Sequence, residues 1–402
     1  MRSVLVLLVG ALAPSPGPAA RLSKGPYLQA PSAESITIRW ETTTAEPATL
    51  RYGEGKRLDR ALGPINPVTV QSGTNSFYIY EATLTQLRPN TSYSYNVSVG
   101  TDEAGPRRFK TFGTAQESVT FIAYSDTRTN PDRHAAVAAN FRRHSPEFIL
   151  HSGDLVAKGS EYERWSSEFF DPLAGVIDEI PMLPSIGNHE QDGANYLAYF
   201  REPGTQRFFY SCDIGPVHIV SLDYRSTKVT DEQFTFVTRD LEASRAPWKI
   251  VLLHAPMFNF GGHASLWGHE AYLPLFRKTH VDLVLSGHSH LYERFRPLVP
   301  KGATDAWAIQ HVTTGGGGAG LAASIDDPSL LRTASVHHFM VLTATREQIS
   351  ARALDVAGVE IDAFKLRKKD GRQPAAYLAG AYAEEDVIAA VKKIPPREKK
   401  RK

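Results

Sequence analysis

The chain has 402 residues, of which 42% are hydrophobic and 22% are charged, and its formal net charge is +2. This composition is typical of a globular protein with room for two domains, and it excludes an intrinsically disordered chain. The near-neutral charge gives no electrostatic basis for nucleic-acid binding. Cys212 is the only cysteine, which excludes an intramolecular disulfide and a thiolate-rich zinc site. A bound metal would therefore need oxygen and imidazole ligands.

The N-terminus has the pattern of a secretory signal peptide. Met1 and Arg2 precede an apolar run, Val4–Ala13, and small residues and prolines lead on to Ala20. The run is shorter than the roughly 20 apolar residues that a transmembrane helix needs. We predict cleavage near Ala20, so that residues 1–20 are removed and the protein is exported, either secreted or periplasmic. A buried N-terminal strand is the alternative, and no transmembrane segment is predicted elsewhere.

Residues 21–115 have the pattern of an antiparallel β-sandwich. Apolar and polar residues alternate in short runs between turns, as in Ser35–Trp40 and Phe77–Leu84. The segment Leu87–Tyr95 resembles the late-strand region of fibronectin type III-like domains. Because this block contains no histidine and no recognisable catalytic motif, we expect a structural role or a contact with a protein or surface partner.

Between residues 116 and 368 the pattern changes to apolar strands separated by helices. These strands do not alternate, which indicates a largely parallel sheet covered on both faces. The predicted strands are Val119–Tyr124, Phe148–His151, Lys249–His254 and Val281–His288. Helices are predicted from Pro131 through Phe141, near Asp231–Ser244 and near His269–Lys278.

At the carboxyl end of each of these four strands lies a side chain that can bind a metal ion. The side chains are those of Asp126, Asp154, His254 and His288. Ligands of open α/β sheets bind outside the carboxyl ends of the strands. The four segments therefore predict one metal site at this rim.

The C-terminal third is predicted to be rich in strands, with Val336–Ala344 and Gln348–Leu354 among them. Gly315–Gly318 follows a strand but opens no helical pattern, so we interpret it as a rim loop rather than a nucleotide-binding loop. Residues 369–402 are predicted to be a basic tail with a short helix near Glu384–Lys392. The final run, Arg397–Lys402, has the character of a solvated segment.

The order of the polar motifs resembles that of the calcineurin-like metallophosphoesterases. The motifs are Asp126, Gly153-Asp154, Gly187-Asn188-His189-Glu190, His254 and Gly287-His288-Ser289-His290. The last motif continues as Leu291-Tyr292-Glu293-Arg294, which resembles the purple acid phosphatase-like branch, and that branch also tends to carry an N-terminal β-sandwich. The resemblance covers Gly25 to Leu366. It implies an α/β (α+β) fold, in which the sandwich precedes a four-layer α/β/β/α metallophosphoesterase domain.

The resemblance also implies a site with two metal ions and a role for each motif residue. Asp154 would bridge the ions, Asp126 and His290 would complete one site, and Asn188, His254 and His288 would complete the other. Imidazole, amide and carboxylate ligands suit iron, zinc or manganese. A metal-bound hydroxide would attack a small-molecule phosphate ester, and His189 would protonate the leaving group or stabilise the transition state.

The chain departs from the family pattern at two positions. Most of the superfamily has Asp-x-His at the first motif, and Arg128 stands where that histidine would be. The purple branch has a tyrosine three residues after the bridging aspartate, and here that residue is Ala157, so no iron–tyrosinate colour is expected. We expect an extra water, weaker binding or an empty first site. Arg128 is either a phosphate contact or a structural salt bridge.

Further histidines divide into one substrate-facing candidate and several structural ones. His263 lies in a glycine-rich loop where the purple branch tends to carry a substrate-facing histidine, although a plain loop position is the alternative. His151 is expected to be a core residue, and His311, His337 and His338 are expected to be structural. The resulting function is acid phosphatase-like hydrolysis of phosphomonoesters. The alternatives are a phosphodiesterase of the same superfamily and a non-catalytic exported binding protein.

Overall fold

A computed structural model describes residues 22–200, 207–226 and 230–395. The predicted signal peptide, residues 1–20, and the basic run Arg397–Lys402 lie outside the described residues, so both stay predictions. Within the described ranges, no helix has both the length and the apolar character that crossing a membrane requires.

The N-terminal part is a sandwich of two four-stranded antiparallel sheets. Its strands are β1 (Leu22–Gln29), β2 (Ile36–Thr42), β3 (Ala48–Glu54), β4 (Arg60–Ile65), β5 (Val68–Ser72), β6 (Asn75–Leu84), β7 (Ser92–Val99) and β8 (Asp102–Lys110). The sheet orders are β1-β2-β6-β5 and β4-β3-β7-β8. Ile38 and Trp40 from one sheet pack with Leu50, Tyr95 and Val97 from the other, which is the core that the alternating pattern predicted.

Two mixed sheets form the centre of the second part. The strands are β9 (Ser118–Tyr124), β10 (Phe148–His151), β11 (Met182–Pro184), β12 (Tyr210–Ile214), β13 (Val217–Ser221), β14 (Trp248–Leu252), β15 (Leu283–Ser286), β16 (Tyr292–Phe295), β17 (Leu298–Val299), β18 (Gln310–Thr314), β19 (Leu330–Ala334), β20 (His338–Thr345), β21 (Gln348–Asp355), β22 (Glu360–Arg367) and β23 (Tyr382–Ala383). The sheet orders are β11-β10-β9-β20-β21-β22 and β12-β13-β14-β15-β18-β16-β19. Strands β9 to β11 are parallel, as are β13, β14, β15 and β18, and antiparallel strands complete each sheet.

Helical segments lie along the connections between these strands. They are α1 (Pro131–Ala138), α2 (Tyr162–Arg164), α3 (Ala194–Phe200), α4 (Asp231–Ala243), α5 (His269–Lys278), α6 (Ala375–Ala379) and α7 (Glu384–Val391), with a 3₁₀ turn at Phe141–His144 and a π-helical turn at Trp165–Phe170. The three helices predicted for residues 116–368 are therefore observed. Asn130 and Thr230 cap α1 and α4 by accepting a backbone N–H with their side chains.

The central strands lack alternation because both of their faces are buried. In β9, Phe121 packs into the core between the two sheets, while Ile122 packs into the outer core towards α1. In β14, Ile250 faces the inter-sheet core, and Val251 packs in the outer core with Tyr272 of α5. These layers confirm the predicted α/β/β/α class with a β-rich N-terminal domain.

A buried ion pair joins the sandwich to the second part of the chain. Lys24 Nζ lies 2.7 Å from Glu41 Oε1, and both side chains are 0% exposed. Glu41 also accepts hydrogen bonds from Ser23 Oγ, Tyr162 Oη and Tyr199 Oη, at 2.6, 2.6 and 2.8 Å. The ammonium lies over the Tyr162 ring at 3.8 Å. Because Tyr162 and Tyr199 belong to the second part, this charge pair fixes the sandwich against it.

Much of the region predicted as a tail is ordered and packed. Helix α7 buries Val387 and Val391 in the same hydrophobic cluster as Tyr272 and Phe276 of α5. Arg277 Nη1 donates to Glu384 at the start of this helix at 2.5 Å. The helix predicted near Glu384–Lys392 is therefore observed, and it covers the domain up to the end of the described residues.

We expect Glu41→Gln to destabilise the protein by about 3 kcal/mol, because it leaves the Lys24 ammonium buried without a counter-charge. Chemical denaturation of the purified protein measures this change. Glu54→Gln is the matched control, because Glu54 pairs at the surface with exposed arginines, where such a change costs about 0.5 kcal/mol or less. Equal losses for the two variants would contradict the role of the buried pair.

Candidate metal centre

The predicted ligands gather where strands of both sheets end. Asp126 and Asp154 follow β9 and β10, which pair in parallel so that their C-terminal loops lie side by side. His254 and His288 follow β14 and β15, which are parallel neighbours in the other sheet. The four side chains therefore lie at one rim, but their strands belong to two mixed sheets and not to the single, largely parallel sheet that the sequence pattern indicated.

Three of these residues have a left-handed backbone. The φ angles of Asp126, Asp154 and His288 are 59°, 58° and 65°. This region is uncommon for residues other than glycine, and such conformations cluster at functional sites. Each turn ends its strand abruptly and aims the side chain across the rim.

Two groups of donor atoms share one aspartate. Asp154, His254 and His288 form one group, and Asp126, Asp154 and His290 form the other. Within each group the ligand atoms lie within 4.8 Å of one another. The carboxylate of Asp154 is thus common to both groups, and the bridging role that the resemblance implies for it stays a prediction.

The first group (Asp154, His254, His288), here called the imidazole group, has its ring nitrogens fixed by hydrogen bonds. His254 Nδ1 donates to the carbonyl oxygen of Ser152 at 2.7 Å, which leaves Nε2 to face the group. His254 Nε2 lies 3.2 Å from Asp154 Oδ1 and 3.2 Å from His288 Nδ1. Burial lowers the pKa of His254, but the charges of Asp154 and Asp126 outweigh it and raise that pKa to about 9. A cation bound here would displace this proton.

Asn188 is bound by a tyrosine that the sequence analysis missed. Tyr224 Oη donates to Asn188 Oδ1 at 2.5 Å. Its ring centroid lies 5.1 Å from that of His254 and 5.9 Å from that of His288. Burial and the charge of Asp154 raise the pKa of Tyr224 well above its usual value, so the phenol stays a donor. Tyr224 follows the short strand β13 and belongs to no recognisable motif, so nothing in the sequence singles it out.

The second group (Asp126, Asp154, His290), here called the carboxylate group, contains a carboxylate oxygen without a partner. Asp126 is 0% exposed, and its Oδ1 has no hydrogen-bond partner among the described residues. Its Oδ2 accepts from Ser125 Oγ at 2.6 Å and from the His288 backbone N–H at 2.9 Å. His290 Nδ1 donates to the Gly320 carbonyl at 2.7 Å, so Nε2 faces Asp126 Oδ1 at 3.4 Å. A buried carboxylate oxygen without a hydrogen bond is a position where positive charge is favourable.

Arg128 already lies inside the carboxylate group. Its Nε donates to Asp154 Oδ2 at 3.1 Å, and its Nη2 donates to His290 Nε2 at 3.2 Å. Nη1 lies 3.4 Å from Thr129 Oγ1, and 17% of the side chain is exposed. The salt bridge that the sequence offered as one alternative is present, with Asp154 as its partner, and the phosphate contact stays a prediction.

His189 borders the same centre. Its backbone N–H donates to Asp154 Oδ1 at 3.0 Å, and its Nδ1 donates to the Ala157 carbonyl at 2.6 Å. Nε2 therefore points towards the site, 3.8 Å from Asp154 Oδ2. Ala157, the position of the missing tyrosine, contributes only backbone contacts to this arrangement.

His263 lies beside the imidazole group. Its ring centroid is 4.7 Å from that of His288, with an interplanar angle of 35°. The loop that carries it is held by Glu293, whose carboxylate accepts the N–H groups of Phe260 and Gly261 at 3.1 and 2.7 Å. The structure thus places His263 at the centre, where the sequence left a plain loop position as the alternative.

Glu190 holds the loops that carry the ligands. Its carboxylate accepts the backbone N–H groups of Gly187, Asp154 and Leu155 at 2.7, 3.0 and 2.8 Å. Burial and the charge of Asp154 raise the pKa of Glu190 to about 7. The sequence contained Glu190 within a motif but gave it no role, because backbone N–H acceptors leave no sequence pattern.

The other histidines considered in the sequence analysis belong to neither donor group. His151 is buried and lies 3.2 Å from Thr127 Oγ1 through its Nε2. Burial lowers the pKa of His151 and of His311 to about 3, and that of His338 to about 4. His337 is half-buried and contacts the carbonyl oxygen of Gly316. The core position expected of His151 is confirmed, and His311 and His338, which were expected to be structural, are buried as well.

Two protein families match successive parts of the chain. Residues 25–121 match "Purple acid Phosphatase, N-terminal domain", and residues 119–292 match "Calcineurin-like phosphoesterase". The family implies a binuclear metal centre, and the two donor groups are candidates for it.

Relatives from animals and plants carry phosphatase names. The chain is 27% identical to acid phosphatase type 7 of Mus musculus over 314 residues, which are 68% of this chain and 70% of that protein. It is 31% identical to purple acid phosphatase 22 of Arabidopsis thaliana over 219 residues, which are 48% of this chain and 50% of that protein.

The fold is shared with solved structures. A purple acid phosphatase from yellow lupin seeds superposes with a TM-score of 0.72 at 18% identity, covering 94% of this chain and 77% of that one. PhoD superposes with a TM-score of 0.68 at 12% identity, covering 94% and 96%. The chain therefore resembles the metallophosphoesterases: a region that matches the purple acid phosphatase N-terminal domain precedes one that matches a calcineurin-like phosphoesterase, and these likenesses support a hydrolase of phosphoric esters.

Proposed function

We propose that the protein is an acid phosphatase-like phosphomonoesterase whose chemistry takes place around Asp154. The observation that carries this proposal is the pair of donor groups that share this carboxylate. Asp126, His290, His254, His288 and Asn188 would complete the ligand set, and their donor atoms suit iron, zinc or manganese. Bound ions would supply positive charge to the phosphoryl oxygens and lower the pKa of the attacking water.

Cationic and donor side chains around the centre favour a monoester. A phosphomonoester carries up to two negative charges, whereas a diester carries one. Arg128, His189 and His263 border the rim: the Arg128 guanidinium is positively charged, and either imidazole would donate to an anionic group in its protonated form. A phosphodiesterase remains the alternative, because the same centre would accept either ester.

His189 is the proposed general acid. Because its Nδ1 donates to the Ala157 carbonyl, the imidazolium form presents its second proton from Nε2 towards the site. A leaving alkoxide needs a proton as its bond to phosphorus breaks, and a positioned imidazolium supplies it. The bond between the His189 backbone N–H and Asp154 ties this side chain to the bridging carboxylate.

We expect Asp154→Asn to abolish turnover of p-nitrophenyl phosphate and to reduce bound metal, because the shared carboxylate is lost. Asparagine keeps the size of the side chain and tolerates a left-handed backbone. Metal analysis and phosphate release are measured together, with bis(p-nitrophenyl) phosphate as the diester comparison. Asp305→Asn makes the same change at an exposed position. Faster turnover of the diester than of the monoester would favour the phosphodiesterase. If the natural chain binds metal but hydrolyses neither ester, the proposal of an enzyme is wrong.

We expect His189→Gln to lower kcat by about 10²–10⁴-fold, the usual contribution of a general acid, while bound metal stays unchanged. The loss should be smaller for substrates with good leaving groups, because these need less protonation. Steady-state kinetics on p-nitrophenyl phosphate and on an alkyl phosphate measure the difference. A loss that is the same for both leaving groups would contradict the proton-donor role.

We expect Tyr224→Phe to weaken metal binding by about 10-fold or more, because the hydroxyl no longer orients the Asn188 amide. Calorimetric titration with Mn²⁺ measures the affinity, and thermal unfolding of the metal-free protein checks stability. Tyr80→Phe is the matched control, since the Tyr80 hydroxyl donates to a carbonyl in the sandwich at 2.7 Å. An unchanged Mn²⁺ affinity in Tyr224→Phe would contradict a role for this tyrosine in metal binding.

A further inference from the structure

The carboxylate group is poorer in ligands than the family pattern requires. Arg128 and Ala157 occupy the two positions at which relatives of either branch supply one more ligand. The side-chain donors that remain are Asp126 Oδ1, Asp154 Oδ2 and His290 Nε2. A cation bound there would have three protein ligands, and it would compete with a guanidinium.

The Arg128 guanidinium uses the donor atoms that a cation would need. Arg128 Nε donates to Asp154 Oδ2 at 3.1 Å, and Arg128 Nη2 donates to the lone pair of His290 Nε2 at 3.2 Å. The Nδ1 proton of His290 is committed to the Gly320 carbonyl, so Nε2 is free to accept from Arg128. An arginine stays protonated at any physiological pH. Its charge at this point is therefore permanent.

The charges around Asp154 favour one metal ion over two. The donor groups contain two buried carboxylates, Asp126 and Asp154, and a third, Glu190, lies directly behind Asp154. Two divalent ions beside the guanidinium would set five positive charges against at most three negative ones. With one divalent ion, the centre would have at most one excess positive charge, which a phosphate ester would neutralise. A buried excess of like charge is strongly unfavourable.

We propose that the Arg128 guanidinium takes the place of one of the two metal ions of the family's centre, so that the chain holds one tightly bound ion beside a fixed organic cation. The ion belongs to the imidazole group, where two ring nitrogens and Asp154 Oδ1 converge. The guanidinium N–H groups that donate to no protein atom are available to contact phosphoryl oxygens. The planar guanidinium matches the geometry of a phosphate group. This inference rests on the proposed metal-dependent function.

The test is the number of ions bound per chain. The protein is stripped with a chelator and dialysed against Mn²⁺, and bound metal is counted by mass spectrometry. We expect about one ion for the natural chain and about two for Arg128→His, which recreates Asp-x-His and removes the competing charge. Spin coupling between adjacent Mn²⁺ ions in the electron paramagnetic resonance spectrum should appear only in the variant.

Arg133→His is the matched control, because it adds a histidine at an exposed position of α1. It should leave the count at about one ion per chain. Two ions of similar affinity in the natural chain would overturn the inference, and this measurement needs no variant. One ion in both the natural chain and folded Arg128→His would also overturn it. If the natural chain hydrolyses phosphate esters with two bound ions, this inference is wrong and the proposed function stands. If it binds one ion and hydrolyses neither ester, the proposed function is wrong and this inference stands.

Discussion

The whole centre depends on how the negative charge of a buried carboxylate is balanced. Asp154 is 1% exposed, yet it is ionised, because His254 and Arg128 lie within 3.2 Å of its oxygens. The charges of His254, His189 and Arg128 outweigh burial and hold the pKa of Asp154 well below its usual value. His254 and Arg128 bring positive charge to this carboxylate, and Glu190 fixes the loop that carries it.

Two acidic side chains fix those loops without contacting the centre's donor atoms. Glu190 accepts the backbone N–H groups of Asp154 and Leu155, and Glu293 accepts those of the loop before His263. Burial raises the pKa of both glutamates to about 7. A loop held by its own N–H groups has little freedom to move a ligand, which is how short connections between strands keep a metal site in position.

The sequence predicted the strands and their terminal ligands, because apolar runs that end in Asp or His leave a visible pattern at Asp126, Asp154, His254 and His288. It did not predict Tyr224, whose role arises from the pairing of β13 with β14, a contact between distant segments. It also left Arg128 undecided, because the direction of a long side chain depends on neighbours such as His290. The packing of Val387 and Val391 was hidden by the basic composition around them.

The left-handed backbone at Asp154 is a strain that the surrounding charges outweigh. An L-residue in this conformation costs about 1–2 kcal/mol, and glycine adopts it without a steric penalty. Replacing Asp154 with glycine would relieve that strain, but it would leave Arg128 and His254 without the carboxylate that faces them, and breaking such a buried pair costs about 3–5 kcal/mol. A laboratory selection for heat resistance alone would therefore tend to keep this aspartate, even without a demand for turnover.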